Sequence, residues 1–392
     1  MFRRIEASQY RCLRSVGQSI NSFEILIGSN ASGKSTFLDV IAFLGTLVSE
    51  GLEAAVERRT ANFHDLVWGR EGDYFELAVE AWIPEDRRVE VPFHGRVDTI
   101  RYEVGIRLDT ATEKLHIAME KATIYCSEAG LRRRRQSGVE VISRSEVFQF
   151  ISEKKLQRYE WQPHRNYSGL GSLPMEAEFP AAAWLKQRLR DGINPVALDV
   201  KELRKPSPPA KTDVKEISGS YLARSVAQLK SRDSDQFQAW LAHVRTVLPD
   251  VKDIRTVLRE EDQHRYIMID YQNGASVPSW VVSDGTLRLL ALTLLAYVSD
   301  SSRVYLIEEP ENGVHPTALQ AIYESLSSIY EGQVLIASHS PVLLGMATPE
   351  QLLCFMKTPD GAKIVRGSEH PGLREWRGEV SLGMLAASGI LG

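Results

Sequence analysis

One stretch constrains the fold of this chain more than any other. Residues 28–35 read Gly-Ser-Asn-Ala-Ser-Gly-Lys-Ser, a complete G-x-x-x-x-G-K-[ST] pattern. The apolar run 23–27 before it predicts a short buried strand, and residues 36–48 after it predict a helix. A loop in this context directs its backbone N–H groups at a phosphate, with the helix N-terminus behind them. The pattern therefore predicts a nucleotide-binding loop in an α/β protein.

Each residue type in this loop suits a phosphate. Gly28 and Gly33 allow backbone angles that a side chain would forbid, and they let phosphates approach closely. Lys34 is expected to reach the β- and γ-phosphates, and the Ser35 hydroxyl to complete the shell of a Mg²⁺ ion. The predicted nucleotide-binding residues of the loop are Gly28, Asn30, Ala31, Ser32, Gly33, Lys34, Ser35 and Thr36.

Composition sets limits on the protein class. The 392 residues carry 47 Lys and Arg against 51 Asp and Glu, a net charge of −4 that offers no global attraction for nucleic acid. The three cysteines have no metal-ligand spacing and are expected to be reduced thiols. The N-terminal residues lack the apolar core of a signal peptide, and no apolar run is long enough for a membrane. We therefore expect a cytoplasmic protein that does not enter a membrane.

The pattern changes along the chain. Alternating apolar residues at 75–83, 102–108 and 115–125 predict an antiparallel sheet, and short strands are also predicted at 2–5 and 10–13. Residues 129–216 are irregular, with the basic run 132–135 and a proline-rich end, and predict a mostly helical insertion. Apolar strands at 304–307 and 334–337, separated by a helix, predict a parallel sheet. The predicted core domain is thus discontinuous, 1–128 and 217–392.

Polar side chains follow both of these parallel strands. Glu308 and Glu309 end the first, where Glu308 is expected to hold Mg²⁺ and Glu309 to act catalytically by orienting and deprotonating water. His339 follows the second strand and is the third predicted catalytic residue, with Lys34 and Glu309. Because the carboxyl ends of parallel strands meet at one edge, these side chains are expected near the phosphate loop.

A second candidate phosphate-binding turn precedes the apolar helix 287–298. Ser283, Asp284 and Gly285 form a small turn at a helix N-terminus. One chain does not need two such turns for one nucleotide. The turn is explained if it reaches the γ-phosphate held by another copy. The alternative is an ordinary helix cap by Ser283 or Asp284.

In this order, the loop, the Ser283 turn, the Glu308–Glu309 strand and His339 resemble the ATP-binding-cassette ATPases of the RecF/SMC group. The chain looks most like compact RecF-like and OLD-type bacterial ATPases, many of them in antiphage defence. The resemblance implies a bilobal α/β head whose two copies meet head to head, as a homodimer or higher homo-oligomer. It identifies Ser283–Gly285 as the signature turn, 312–315 as the D-loop and His339 as the switch.

This chain also departs from that group. His315 replaces the usual D-loop aspartate, and no clear Q-loop glutamine is found. Arg58 or Arg59 resembles an arginine that SMC-type heads direct at the nucleotide. Too few residues follow His339 for the Toprim nuclease domain of OLD-type proteins, and the acidic pair around Ser234 is better explained as a helix cap.

The expected function is Mg²⁺-dependent ATP binding and hydrolysis at a homodimer interface, as a switch for a separately encoded effector such as a nuclease or toxin. Three alternatives remain open. A RecF-like DNA-repair ATPase would be stimulated by DNA, which the basic run 132–135 could contact. A scaffold would close on ATP without hydrolysing it. A phosphotransferase would act as a monomer and would not depend on Ser283.

Overall fold

The computed structural model describes residues 1–91, 95–127, 138–144, 148–160, 166–173, 176–196, 198–209, 219–298, 303–374, 376, 378 and 380–391. The strands are β1 (Phe2–Tyr10), β2 (Leu13–Ser19), β3 (Phe23–Gly28), β4 (Tyr74–Trp82), β5 (Glu90–Val91), β6 (Gly95–Arg96), β7 (Thr99–Asp109), β8 (Lys114–Tyr125), β9 (Val139–Arg144), β10 (Phe148–Ile151), β11 (Arg158–Glu160), β12 (Ile193–Val196), β13 (Val251–Leu258), β14 (Arg265–Tyr271), β15 (Ser276–Pro278), β16 (Val304–Glu308), β17 (Gln333–Ala337), β18 (Leu352–Thr358) and β19 (Gly361–Arg366).

The helices alternate with these strands through the second half of the chain. They are α1 (Lys34–Glu50), α2 (Leu52–Glu57), α3 (Pro180–Asp191), α4 (Val200–Arg204), α5 (Leu222–Arg232), α6 (Ser234–Val247), α7 (Asp284–Val298), α8 (Pro316–Ser327), α9 (Pro341–Met346) and α10 (Leu382–Ala387). Within the described ranges, none of these helices combines the length and the apolar character needed to cross a bilayer.

The chain forms two compact units. The first comprises residues 1–22, 28–193 and 354–365, and the second comprises 23–27, 194–353 and 366–392. Both units combine helices and sheets, so the predicted α/β class is confirmed. The proposed domain boundaries at 128 and 217 stay a prediction.

The first unit contains an eight-stranded sheet in the order β11-β10-β9-β8-β7-β4-β1-β2, whose neighbours pair antiparallel. Strands β4, β7 and β8 are the three alternating segments recognised in the sequence. In β4, Phe75, Leu77 and Val79 are buried while Glu76 is exposed, as period-two alternation requires. The antiparallel prediction is therefore confirmed.

The segment 129–216 contains more strand than expected. Strands β9, β10 and β11 extend the antiparallel sheet beyond β8, in a region predicted to be mostly helical. They are short and half polar, so the sequence carries little strand signal there. The basic run at 132–135 lies outside the described residues.

Helix α1 forms the core of the first unit below the loop that begins it. Its apolar residues, among them Phe37, Ile41 and Leu44, are fully buried. It packs on α2 and α3 and on strands β1 and β4. Each buried side chain of this size contributes roughly 1.5–3 kcal/mol to the free energy of unfolding. The packing of α1 therefore fixes the position of its first turn.

The second unit contains the parallel strands. The strands of its sheet have the order β12-β16-β17-β3. Strands β16, β17 and β3 pair in parallel, and their residues 304–307, 334–337 and 23–27 are buried. Continuous apolar strands covered on both faces are typical of such sheets, so the prediction of a parallel sheet is confirmed.

One local prediction was wrong. No separate strand covers residues 10–13, because Tyr10 ends β1, Leu13 begins β2, and residues 11 and 12 form the turn between them. Arg11 in this turn and Gln9 near the end of β1 have left-handed φ values of 50° and 57°. The turn at Asn273–Gly274 joins β14 to β15. The thiols of Cys12, Cys126 and Cys354 form no disulfide, as expected, and burial raises the pKa of Cys354 to about 12.

Candidate functional site

The phosphate loop has the backbone that its sequence predicts. Gly28, Ala31 and Gly33 have φ values of 146°, 59° and 107°, in the region that favours glycine. A Cβ atom on Gly28 would lie 2.3 Å from the carbonyl oxygen of Phe355. No side chain fits at position 28, because a contact under 3.0 Å would displace backbone.

Two polar side chains of this loop turn inward. Lys34 Nζ donates hydrogen bonds to the carbonyl oxygens of Gly28 (2.8 Å) and Ser29 (3.0 Å), which places the ammonium inside the loop. Ser32 is 1% exposed, and its Oγ has no hydrogen-bond partner in the described part of the chain. A buried polar atom left unsatisfied is costly and points to a functional role. The loop therefore fits an anionic ligand.

The helix that follows the loop begins without a cap. Gly33 is the N-cap residue of α1, no side chain caps it, and the first turn holds no acidic residue. The Thr36 hydroxyl, in that turn, accepts a hydrogen bond from the Cys12 thiol at 3.4 Å. Asn30, Ala31 and Ser35 are exposed. An uncapped helix start attracts negative charge because its first N–H groups have no intrahelical acceptor.

In the second unit, three parallel strands end in register. Glu308 pairs with Ala337, which pairs with Leu26 of the strand that leads into the phosphate loop. The amide of Ser338 donates to the Leu26 carbonyl at 3.1 Å, and that of Glu309 to the Ala337 carbonyl at 2.8 Å. Glu308, Glu309 and His339 therefore leave the sheet at one edge, which confirms the predicted arrangement of these strands.

Glu309 has an unusual backbone. Its φ is 47°, in the left-handed region, where the backbone of a residue other than glycine is strained. Its carboxylate accepts a hydrogen bond from the side-chain amide of Asn312, and the Asn312 backbone N–H donates to the Glu309 carbonyl at 3.0 Å. Strain of this kind costs of order 1–3 kcal/mol and is concentrated at functional sites. The carboxylates of both Glu308 and Glu309 face solvent.

The loop that carries His339 is held by a residue that the sequence analysis did not single out. Glu311 Oε1 accepts two hydrogen bonds of 2.8 Å, from Ser338 Oγ and from the backbone N–H of His339. The imidazole of His339 itself is exposed. The sequence signal was present, since Glu311 is the third acid in the run Glu308-Glu309-Pro310-Glu311, but its partners come from a different strand.

The turn at Ser283 has the geometry of a helix cap. Ser283 Oγ accepts from the Thr286 amide at 3.2 Å and donates to Thr286 Oγ1 at 2.8 Å. Ser283 and Asp284 are exposed. A Cβ atom on Gly285 would lie 2.7 Å from the carbonyl oxygen of Gly313, so only glycine allows this close approach. Capping of the helix does not prevent the exposed turn from binding a ligand.

Arg204 also positions this turn, a role that the sequence did not predict. Its guanidinium pairs with the Asp284 carboxylate and donates through Nη1 to the Trp280 carbonyl at 2.8 Å. Asp284, predicted to bind nucleotide, is therefore already paired with a cation. The partner lies in the proline-rich stretch 201–216, so no local pattern could have revealed it.

Three other motifs have structural roles. His315 caps α8, its Nδ1 accepting from the Thr317 amide at 3.4 Å, so it shapes the turn. Asp233 caps α6 by accepting from the Gln236 amide at 2.9 Å, as expected. Arg59 pairs with Asp39 at 2.6 Å and is largely buried, so the structure ties it to helix α1.

The predicted metal ligands fit Mg²⁺ by chemistry. Ser35 offers a hydroxyl oxygen and Glu308 a carboxylate oxygen, and Mg²⁺ usually takes one or two protein ligands, with waters and phosphate oxygens completing its shell. Across the described ranges, no group of three His, Cys, Asp or Glu residues is placed to hold a metal ion by itself.

Comparisons with known proteins agree with this geometry. The family model described as "AAA domain, putative AbiEii toxin, Type IV TA system" matches residues 24–345. No curated protein matches the sequence.

Among solved structures, the chain is similar to an Smc head bound to the C-winged helix domain of ScpA, with a TM-score of 0.54 and 15% identity over 93% of this chain and 96% of that one. It is also similar to an Smc head domain with an extended coiled coil, bound to the C-terminal domain of ScpA derived from Pyrococcus furiosus. That match has a TM-score of 0.51 and 14% identity over 93% of this chain and 95% of that one. At such identities the likeness shows the fold alone, which is that of an Smc head domain.

Proposed function

We propose that this chain, which belongs to the AAA-domain family whose model it matches, binds ATP in its phosphate loop and hydrolyses it as a conformational switch. The observation that carries this proposal is the register of three strand ends. The strand that leads into the loop pairs with the strand before His339, and that strand pairs with the one ending in Glu308. Loop, acids and histidine are the parts that phosphoryl transfer to water requires.

We assign these parts as follows. Lys34 holds the β- and γ-phosphates, since its ammonium already lies within the loop. Ser35 and Glu308 would hold Mg²⁺, which would neutralise phosphate charge. Glu309 accepts the proton of the attacking water. The exposed imidazole of His339 hydrogen-bonds the γ-phosphate or that water. The oxygen of the attacking water forms the new bond to the γ-phosphorus, and the bond to the β-phosphate oxygen breaks, leaving ADP and phosphate.

We further propose that the exposed turn of Ser283, Asp284 and Gly285 contacts the γ-phosphate held by a second copy. In support, the turn is a helix N-terminus that faces solvent, and the Arg204–Asp284 pair offsets its acidic charge. A shared γ-phosphate favours the closed homodimer, and hydrolysis removes that preference. In a higher homo-oligomer the same contact would join neighbouring copies.

We propose that the switch controls a separately encoded effector, a nuclease or toxin, in a cytoplasmic antiphage defence system. The family description, which mentions a toxin–antitoxin system, supports this assignment. The two Smc heads described above are each bound to a domain of ScpA, which supports a partner protein for a head of this fold. Co-purification with the product of the neighbouring gene tests this part of the proposal.

Glu309→Gln is the variant that tests hydrolysis. It removes the proton acceptor but keeps the side-chain size and the Asn312 contact. We expect turnover to fall about 10²- to 10³-fold while ATP binding persists, and an ATP-bound dimer to accumulate in light scattering. Wild-type turnover in this variant would contradict the role of Glu309. Stimulation of the wild type by duplex DNA would favour the RecF-like alternative.

A further inference from the structure

We propose that Glu311 is a positioning residue, which sets the place of the switch loop 338–340 relative to the catalytic Glu309. This inference rests on the proposed ATP hydrolysis but is carried by contacts of its own. Glu311 lies two residues after Glu309, in the turn between β16 and α8. Its two partners lie after β17, so this one side chain joins the ends of two strands.

The contacts are specific to the switch loop. Glu311 Oε1 accepts from Ser338 Oγ and from the His339 backbone N–H, both at 2.8 Å. Ser338 Oγ in turn accepts from the Ser340 amide at 3.0 Å, which closes a chain of hydrogen bonds around the loop. Hydrogen bonds to a charged acceptor are stronger than those between neutral groups. The His339 backbone is therefore fixed by a carboxylate.

The same turn also fixes Glu309. Asn312 donates its side-chain amide to the Glu309 carboxylate and its backbone N–H to the Glu309 carbonyl. Glu311 accepts at its own carbonyl from the Val314 amide at 3.1 Å, so the turn is internally bonded. Neighbouring residues of one turn thus hold the proposed base on one side and the switch loop on the other.

The second carboxylate oxygen shows that this arrangement is not optimised for stability. Glu311 Oε2 is buried and accepts no hydrogen bond from the described residues. A buried, unsatisfied carboxylate oxygen lowers stability. An acid in this place is better explained by what Oε1 positions than by its contribution to folding.

Three variants test the proposal. Glu311→Ala removes the acceptor, Glu311→Gln restores one oxygen at the same reach, and Glu331→Ala removes an exposed acid before β17 as a matched control. Because small misplacements of reacting groups cost up to about 10²-fold in rate, we expect kcat of Glu311→Ala to fall about 10- to 100-fold with KM for ATP within threefold of wild type. Glu311→Gln should recover at least a third of the wild-type kcat.

The second readout does not depend on turnover. Hydrogen–deuterium exchange at single amides should show the His339 amide exchanging at least tenfold faster in Glu311→Ala, but not in Glu311→Gln or Glu331→Ala. Unchanged exchange at this amide in Glu311→Ala overturns the positioning role, even in a protein that does not hydrolyse ATP. If the wild type hydrolyses ATP and Glu311→Ala exchanges faster without losing kcat, the link to catalysis is overturned. A wild type without turnover but with the expected exchange rejects the proposed ATPase and leaves the contact to the switch loop supported.

Discussion

Two helices of this protein begin in opposite ways, and the difference separates two candidate phosphate-binding elements. Helix α1 begins at the phosphate loop with Gly33 as N-cap, no side-chain cap and no acid in its first turn. Helix α7 begins at the signature turn with its own cap, because Ser283 Oγ accepts from the Thr286 amide. The start of α1 suits a negatively charged ligand, because no side chain caps it. The start of α7 already has a side-chain cap, and a ligand there would meet only the exposed side chains of Ser283 and Asp284.

The N-terminus of a third helix is capped by an acidic side chain. At the N-terminus of α3, Glu153 accepts from the amides of Ala181 (2.7 Å) and Ala182 (2.8 Å). This chain thus supplies its own carboxylate to one helix, a hydroxyl to another and neither to α1. The comparison favours the proposed anion binding at α1, and it leaves α7 with an exposed turn for the proposed contact with a second copy.

Lys34→Ala tests the first helix start and should change ATP binding most. Loss of the ammonium inside the loop should reduce ATP affinity at least 10²-fold and abolish turnover, because the loop's remaining attraction is that of backbone N–H groups. A wild-type protein at an ATP concentration 100-fold above Kd should gain about 2.7 kcal/mol of stability, and the variant should gain almost none. Thermal unfolding with and without ATP measures this difference, with the exposed Lys357→Ala as control.

Ser283→Arg tests the second helix start. We expect turnover and ATP-driven dimerisation to fall at least about 10²-fold, because the bulky arginine side chain obstructs the contact with the other copy. ATP affinity of the single subunit should stay within threefold of wild type, since α1 binds the nucleotide alone. Equilibrium binding, light scattering and turnover on one preparation separate these effects. Undiminished turnover would remove the shared site.

Glu153→Gln tests the helix that carries its own acid. Burial raises the pKa of Glu153 to about 7 from its ordinary 4.5, against the opposing effect of the Ala181 and Ala182 amides. A raised carboxyl pKa contributes stability that is fully present below pH 4.5 and is lost as pH rises through 7. Between pH 5 and 8 the wild type should therefore lose up to about 3 kcal/mol relative to Glu153→Gln. Urea unfolding of both proteins across this range measures it, and parallel curves would contradict the assignment.

The smallest expected effect compares two caps. Ser283→Ala and Asp233→Ala each remove a side-chain cap and should each lower the free energy of unfolding by about 1 kcal/mol. Only Ser283→Ala should also reduce turnover, since Asp233 caps α6 and has no proposed part in the site. Equal turnover in both variants would make Ser283 a cap and nothing more.

The sequence predicted those parts of the molecule whose signal is local. The phosphate loop is specified by glycines at positions that forbid a side chain, and the parallel strands by continuous apolar runs. Strands β9 to β11 were missed because they are short and half polar. They are strands because they extend the antiparallel sheet from β8, which no local pattern reveals. Glu311 and Arg204 were missed for a related reason, since their importance lies in partners 27 and 80 residues away.

Strain at Glu309 has a consequence for anyone who engineers this protein. Replacing a residue held at a φ of 47° by glycine relieves backbone strain in the folded protein, because glycine adopts this angle freely. Glu309→Gly should therefore melt at a higher temperature than its parent while losing the proposed base. Selection for thermal stability alone would therefore favour glycine at position 309, in proteins that no longer hydrolyse ATP. A library screened for thermal stability needs a second screen for turnover.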